Sequence, residues 1–398
     1  MVASSRNSKR EEVVQAVESM ESELWGLASF VHSHPELSGE ESEASGVVMD
    51  LLRKHQFFVT TPYPEIPTAF RAEGTSPGEG PRIAFLAEYD ALPQMGHACG
   101  HNLIAAMSVG AAVALKKVAP EFSSGIVVIG TPEEERGGGK IKLLKANAFK
   151  DITLSMMVHP SNTTEVAKKA LSLIEVEVHF YGKAAHAAAA PERGINALDA
   201  IILLFNGVSL LRQRLRPDAR IHGIISKGGD APNVIPDHTA ANFYLRAADM
   251  DYSYELLNRF REIIFGAEKA TGAHAEIHVN EILYQPFQPS LPLSRVFEKC
   301  LRELDVEVEE SSDGFGSSDI GNLSQVMPTI HPTLAISPRE VVCHSLGFTE
   351  AAISERGRQG MLIGAKALAL TALELFENSN QLQAVIDDFK ASHSAELQ

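Results

Sequence analysis

The sequence predicts an α/β protein in two parts: a domain with a mostly parallel sheet flanked by helices, interrupted by an inserted ferredoxin-like α+β domain. Three observations carry this expectation. Short apolar runs alternate with helical patterns through residues 83–160, and each run ends in polar residues. From about residue 170 the pattern changes to half-exposed strands in the order strand–helix–strand–strand–helix–strand. The length of 398 residues exceeds one simple core and suits two domains. The boundaries read as 1–169 and 286–398 for the first domain and 170–285 for the insertion.

The elements follow from periodicity. Val13, Val17, Leu24, Leu27 and Val31 recur at helical spacing over 10–32, and Pro35 ends that helix. A second helix fits 40–55. IAFLAEYDALP (83–93) reads as a buried strand running into a charged loop, and 102–117 as a helix of small residues suited to close packing. GIVVIGTPEEERGGGK (125–140) is a strand, an acidic loop and a glycine run; ITLSMMVHP (152–160) is a strand ending at His159. In the insertion, strands fall at 172–185, 220–229, 238–248 and 273–283, with helices at 196–215 and 251–270. The chain then returns through a helix at 293–303, a loop at 314–324 and a closing helix at 351–376. The tail 378–398 is polar and helical. In open parallel sheets the functional groups lie beyond the carboxyl ends of the strands, where the polar clusters fall here.

Composition narrows the classes. Hydrophobic residues make up 44% and charged residues 22%, as in ordinary globular proteins. The net charge of −16, with no basic run, argues against nucleic acid, since phosphate binding needs a basic face. No apolar run reaches the length of a membrane span, so no membrane partner is expected. The N-terminal stretch is polar and lacks a secretory apolar segment, and three cysteines are too few for a disulfide framework. A cytoplasmic, reducing setting is the expectation.

Four stretches carry chemistry. MGHACGHNL (95–103) packs two histidines and a cysteine into a short glycine-containing segment, and thiolate with imidazole is a donor set that suits zinc. TPEEERGGGK (131–140) places three carboxylates at a strand end, costly unless a cation or solvent compensates; one could bind metal while its neighbour stays free as a base. His159 ends an apolar strand, and His344 lies in a loop before the last long helix. Each stretch alone has a structural explanation: a turn, a solvated acidic loop, or a satisfied buried histidine. Their placement at the ends of consecutive α/β elements points to a metal centre. A cysteine peptidase built on Cys99 would leave Glu134, Glu135, His159 and His344 without a role.

The motifs HPELSGEE (34–41), AEYDALPQMGHACGHN (87–102), GTPEEERGGGK (130–140), MVHP (157–160), YGKAAHAA (181–188), PNVIPD (232–237), GSSDIGN (316–322) and HSLGFTEAA (344–352) occur in order along almost the whole chain. On them the chain resembles the dinuclear zinc amidohydrolases of peptidase family M20, in the aminoacylase, carboxypeptidase G and indole-acetyl-amino-acid hydrolase class. The resemblance implies that the insertion is a lid and dimerisation domain. It implies two divalent metal ions per chain, zinc or alternatively manganese, cobalt or nickel. Cys99 matches the bridging ligand, where related enzymes use aspartate, and His101, Glu135, His159 and His344 match the other ligands. Glu134 matches the general base that takes a proton from the attacking water, and Asp90 an aspartate that orients a ligand. His186 matches a histidine that acts in the site of the partner subunit of a homodimer. Asn233 and Arg246 fall near positions that grip the substrate carboxylate. Arg136 stands where many relatives have glycine, so the active pair is either Glu133 and Glu134 or Glu134 and Glu135; the place of GGGK favours the latter. The implied activity is hydrolysis of an amide bond in a small substrate, foremost a dipeptide with a basic C-terminal residue. The alternatives are an N-acyl amino acid, a metabolite conjugate, or a binding protein that has lost activity.

Overall fold

A computed structural model describes residues 2–393 except 65, 77 and 315. The last five residues of the expected helical tail lie outside the described residues. The chain divides into two compact units. Unit 1 holds the segments up to Lys169, Gln288–Gly314 and from Ser318 onward; unit 2 holds Ala170–Phe287 with Gly316 and Ser317.

Unit 1 opens with helices α1 (Val2–Ser19), α2 (Glu21–Ser33) and α3 (Ser42–Lys54). The single helix expected over 10–32 is thus two, broken at Met20, whose amide turns back to the Val17 carbonyl. Strands β1 (Phe58–Thr60), β2 (Phe70–Glu73) and β3 (Ile83–Ala87) follow, then α4 (His101–Val118), β4 (Ile126–Gly130), α5 (Gly139–Lys145), β5 (Leu154–Met156) and β6 (His159–Ser161).

Unit 2 contributes β7 (Ile174–Tyr181), α6 (Ala197–Arg212), β8 (Arg220–Lys227), β9 (His238–Arg246), α7 (Met250–Thr271) and β10 (His274–Val279). The chain re-enters unit 1 through α8 (Leu291–Glu303), α9 (Ile320–Ser324), β11 (Thr329–Ile330), β12 (Thr333–Ala335), α10 (Leu346–Ala351), α11 (Glu355–Glu377) and α12 (Ser379–His393). Helix α9 lies in the stretch expected to be loop; one turn and a half is too short to show a period.

The six-stranded sheet of unit 1 runs β1-β2-β4-β3-β5-β11. Its four strands β4, β3, β5 and β11 are parallel, and β1 and β2 join antiparallel at one edge. Strands β3 and β4 are buried at every position, which is why they read as unbroken apolar runs. After β3 the chain crosses through α4 to β4 on one side. After β4 it crosses through α5 to β5 on the other side of β3. That reversal opens a crevice at the carboxyl ends of the parallel strands. The run expected as one strand over 152–160 is two strands in different sheets: β5 pairs with β3 and β11, and β6 pairs with β12.

Helix α11 is long and apolar enough to cross a bilayer, which the sequence reading did not anticipate. Its apolar length is taken up by packing against α4, α8 and α1, and Met361, Ala365, Leu368 and Leu373 are fully buried.

Unit 2 has the sheet order β10-β7-β9-β8, all antiparallel. Counted by sequence that is 4-1-3-2, the ferredoxin-like arrangement. Alternate residues of β7 (Ile174, Val176, Val178, Phe180) join a core with Leu204, Val208, Leu256, Phe260 and Ile264 of α6 and α7. Asn196 and Asp249 cap the two helices by accepting from Leu198 N and Tyr252 N.

One carboxylate ties the return segment of unit 1 to the strand-end region. Glu165 accepts from Ser312 N at 2.6 Å, Ser312 Oγ at 2.7 Å and Thr163 Oγ1 at 2.8 Å, with Lys168 Nζ at 3.2 Å. Burial pushes its pKa up, but the Ser312 and Thr163 donors and Lys168 outweigh it and hold the carboxyl at about 2, below the usual 4.5. A depressed native pKa stabilises the fold above the unfolded value, and that stability is lost as pH falls through about 2. Glu165→Ala is expected to cost about 1.5–3 kcal/mol at pH 7. Paired denaturant titrations should show the gap from wild type narrowing as the pH is lowered from 5 toward 2; a gap independent of pH would contradict the assignment.

Candidate metal centre

The segments that follow β3, β4 and β5, with the first turn of α4, bring the metal-binding side chains together in unit 1. Helix α4 starts at His101 because Gly100 adopts a left-handed φ of 79°, and a β-carbon there would sit 2.9 Å from Pro160. Cys99 therefore enters directly before the helix and His101 on its first residue. His344, with φ 62°, is tethered by its amide to the Ala98 carbonyl at 2.9 Å, next to Cys99.

Cys99 Sγ lies 3.5 Å from His159 Nε2 and 3.5 Å from His344 Nε2. Donor atoms of Cys99, His101 and His159 fall within 4.8 Å of one another, as do those of Cys99, Glu135 and His344. Two triads thus share Cys99. A third group joins His101 to Glu134 and Glu135, with His101 Nε2 at 3.9 Å from an oxygen of each.

The histidine tautomers suit ligation. His101 Nδ1 donates to Asp90 Oδ1 at 3.0 Å and the Asp90 carbonyl at 2.9 Å; His159 Nδ1 donates to the Pro160 carbonyl at 2.6 Å. In both rings Nε2 is left to face the pocket. Asp90 Oδ2 accepts from Ser38 Oγ at 2.8 Å and Glu135 N at 2.9 Å, so one carboxylate orients His101 and fixes the acidic loop. Burial pushes Asp90 up, yet the adjacent His101 and these donors hold it at about 2.

The electrostatics call for positive charge. Burial pushes the His101 pKa down, but the carboxylates of Glu88 and Asp90 overcome this and raise it well above the ordinary histidine value. Burial, Glu88 and Glu135 push Glu134 well up. Hydrogen bonding to Cys343, burial and Glu135 push the Cys99 thiol up. Among the described residues, His101 Nε2, Glu135 Oε1 and Glu88 Oε2 are buried without a hydrogen-bond partner. The orphaned buried atoms of His101 and Glu135, both grouped with the Cys99 thiol, fit a pair of divalent ions, and thiolate, imidazole and carboxylate together suit zinc.

The acidic loop separates its three glutamates. Glu133 has a φ of 62°, and its carboxylate pairs with Lys142, turned from His101, while Glu134 and Glu135 face His101. Close approach of the loop to itself requires glycine: a β-carbon on Gly139 would lie 1.8 Å from the Pro132 carbonyl.

His186, Asn233 and Arg246 belong to unit 2. His186 forms an isolated antiparallel bridge with Val234, and next to it Ala187 N donates to the Asn233 carbonyl at 3.0 Å. His186 Nδ1 accepts from Ala188 N and Ala189 N, both at 3.2 Å, so Nε2 carries the proton on an exposed ring. Arg246 Nη1 donates to Ser317 Oγ at 2.6 Å, and its guanidinium is half-buried.

Sequence reasoning passed over Glu88, Lys140 and Asp319. Glu88 and Asp319 are fully buried, and the Lys140 ammonium bonds both. Burial pushes Asp319 up to about 6. The one available signal was a charged residue inside otherwise apolar or glycine-rich segments, AEYD and GGGK.

Removing the carboxylate that orients His101 tests this arrangement. Asp90→Asn keeps the shape but loses the strong acceptor, and it is expected to weaken divalent-ion binding about 10–100-fold. Competition against a chelator measures this directly; unchanged affinity would show that Asp90 does not hold the site.

Residues 171–270, within unit 2, match the family model for a peptidase dimerisation domain. The chain is 38% identical to the Xaa-Arg dipeptidase of Mus musculus, over 92% of this chain and 89% of that protein. It is 37% identical to the Xaa-Arg dipeptidase of Homo sapiens, over 92% and 88%. The fold is similar to a crystal structure of a dinuclear metal-binding M20 peptidase from Bacillus subtilis, with a TM-score of 0.69, 20% identity, and 90% of this chain and 99% of that chain covered. With relatives this similar over nearly the whole length, the chain belongs to the M20 family of peptidases.

Proposed function

We propose that this protein is a dinuclear metal-dependent dipeptidase that cleaves the peptide bond before a basic C-terminal residue. The observation that carries the reading is the pair of donor triads sharing Cys99, with Glu134 beside them. The substrate follows from the mouse and human relatives, which are Xaa-Arg dipeptidases. The residues that would hold the ions are Cys99 with His101 and His159 in one group, and Cys99 with Glu135 and His344 in the other. Two bound divalent ions, zinc by the donor set, would acidify the attacking water and polarise the scissile carbonyl.

The remaining steps belong to side chains. Glu134 takes a proton from the water and returns it to the leaving amine. Burial and the neighbouring carboxylates push its pKa up, as a group with both duties requires. His186, with its proton on Nε2, donates to the oxygen that gains negative charge. Asn233 and Arg246 bind the C-terminal carboxylate. The enzyme works as a homodimer in which His186 serves the partner's site, a reading supported by the dimerisation-domain match. A reducing compartment such as the cytoplasm keeps Cys99 a free thiol and so available as a ligand.

A panel of dipeptides and N-acyl amino acids, assayed with defined added metals, tests the substrate. Dipeptides ending in Arg, Lys or ornithine are expected to exceed those ending in Glu by at least about tenfold in kcat/KM. Faster turnover of N-acyl amino acids would redirect the reading to an acylase. The shared site has its own test. Glu134→Ala and His186→Ala chains should each bind metal and be inactive, while their mixture should recover up to about a quarter of wild-type activity by random exchange. A mixture as inactive as its components would refute action in trans.

A further inference from the structure

We infer that Lys140 is a built-in cation that fills the place where Glu88, Glu134 and Asp319 would otherwise gather a third metal ion, and so limits the centre to two. The inference rests on the metal-centre reading above and extends it to residues outside the two triads.

Oxygens of Glu88, Glu134 and Asp319 lie within 4.8 Å of one another, a grouping that could itself hold a cation. Lys140 is fully buried, and its ammonium is already there: it donates to Glu88 Oε1 and, at 2.7 Å, to Asp319 Oδ1. Its own amide donates to Asp319 Oδ2 at 2.9 Å, so Asp319 grips the first turn of α5 by both backbone and side chain.

Glu88 has a divided environment. Oε1 is committed to Lys140, while Oε2 is buried, has no hydrogen-bond partner among the described residues, and lies 3.4 Å from His101 Nε2. Glu88 thus stands between two cationic positions, the ammonium on one side and the metal-facing edge of His101 on the other. An ammonium satisfies two or three carboxylates with fixed charge and no exchange, whereas a divalent ion there would draw Glu134 into coordination. By occupying the pocket, Lys140 leaves Glu134 free to carry a proton, which makes it a positioning residue for the base.

The test is metal content of the purified full-length chain after equilibration with Zn²⁺ or Mn²⁺ and removal of free ion. Wild type is expected to hold about two ions, Lys140→Ala about three, and Lys140→Ala with Asp319→Asn about two again. Wild type without bound metal would overturn the metal-centre reading itself; two ions in both wild type and Lys140→Ala would overturn only the role of Lys140. If Lys140→Ala folds only when divalent ion is supplied, the ion replaces the ammonium and the inference stands; if it fails to fold with or without ion, the inference falls. Lys140→Met with Asp319→Asn preserves the local net charge and is expected to fold and hold about two ions. A third ion in that variant, or its failure to fold, also counts against the proposal.

Discussion

The contact on which the rest of unit 1 depends is the one between Asp90 and His101 at the carboxyl end of β3. A fully buried carboxylate is costly unless several donors surround it. Asp90 gathers them from three separate segments: Ser38 from the loop between α2 and α3, His101 from the start of α4, and the Glu135 amide from the loop after β4. Satisfying this one group therefore fixes the positions of three segments. The same bonds decide the His101 tautomer and leave Nε2 facing the pocket. Structure and chemistry share a cause here: the donors that make Asp90 tolerable also place the groups that can bind metal.

Much of the site was legible because its signals are local. Cys99 and His101 share one short segment, and Glu134 and Glu135 are adjacent, so their chemistry shows in a few letters. Parallel strands buried on both faces announce themselves as apolar runs, and the ends of β3 and β4 follow from them. What stayed hidden depends on distant pairing. Lys140 meets Glu88 across 52 positions and Asp319 across 179, and no window of sequence contains that triangle. The split of 152–160 into β5 and β6 is hidden for the same reason. Met157 N bonds the Ile330 carbonyl and His159 N the Pro332 carbonyl, so a later segment decides where the strand leaves the sheet.

The insertion shows the same division between local and distant information. Alternation in β7 predicts which side chains meet α6 and α7, since a strand with one buried face must alternate. Alternation does not predict what the open face does with its polar residues. There a chain of hydrogen bonds crosses three strands. Lys227 donates to His238 Nδ1 at 3.2 Å, His238 Nε2 meets His179 Nδ1 at 2.9 Å, and His179 Nε2 reaches Glu177 Oε1 at 3.2 Å. One tautomer of each ring satisfies every link, with a cation at one end and an anion at the other. Burial, Lys227 and His179 hold His238 below the usual histidine value, in keeping with its Nδ1 accepting from Lys227.

Glu134 is the group for which these arrangements have the sharpest consequence. A base must hold a proton at one stage and release it at another, so it can be neither locked in a salt bridge nor consumed as a ligand. Its neighbours avoid both outcomes. Glu133 takes the surface lysine, Lys142. Lys140 bonds Glu88 and Asp319 rather than Glu134. Glu135 has its amide held by Asp90 and an oxygen 3.7 Å from His344 Nε2, on the side of the shared thiol. Burial, together with the repulsion of Glu88, Glu135 and Asp319, raises the proton affinity of Glu134. The acidic loop, a cluster that would be unstable in an apolar core, thereby gives three consecutive glutamates three different environments.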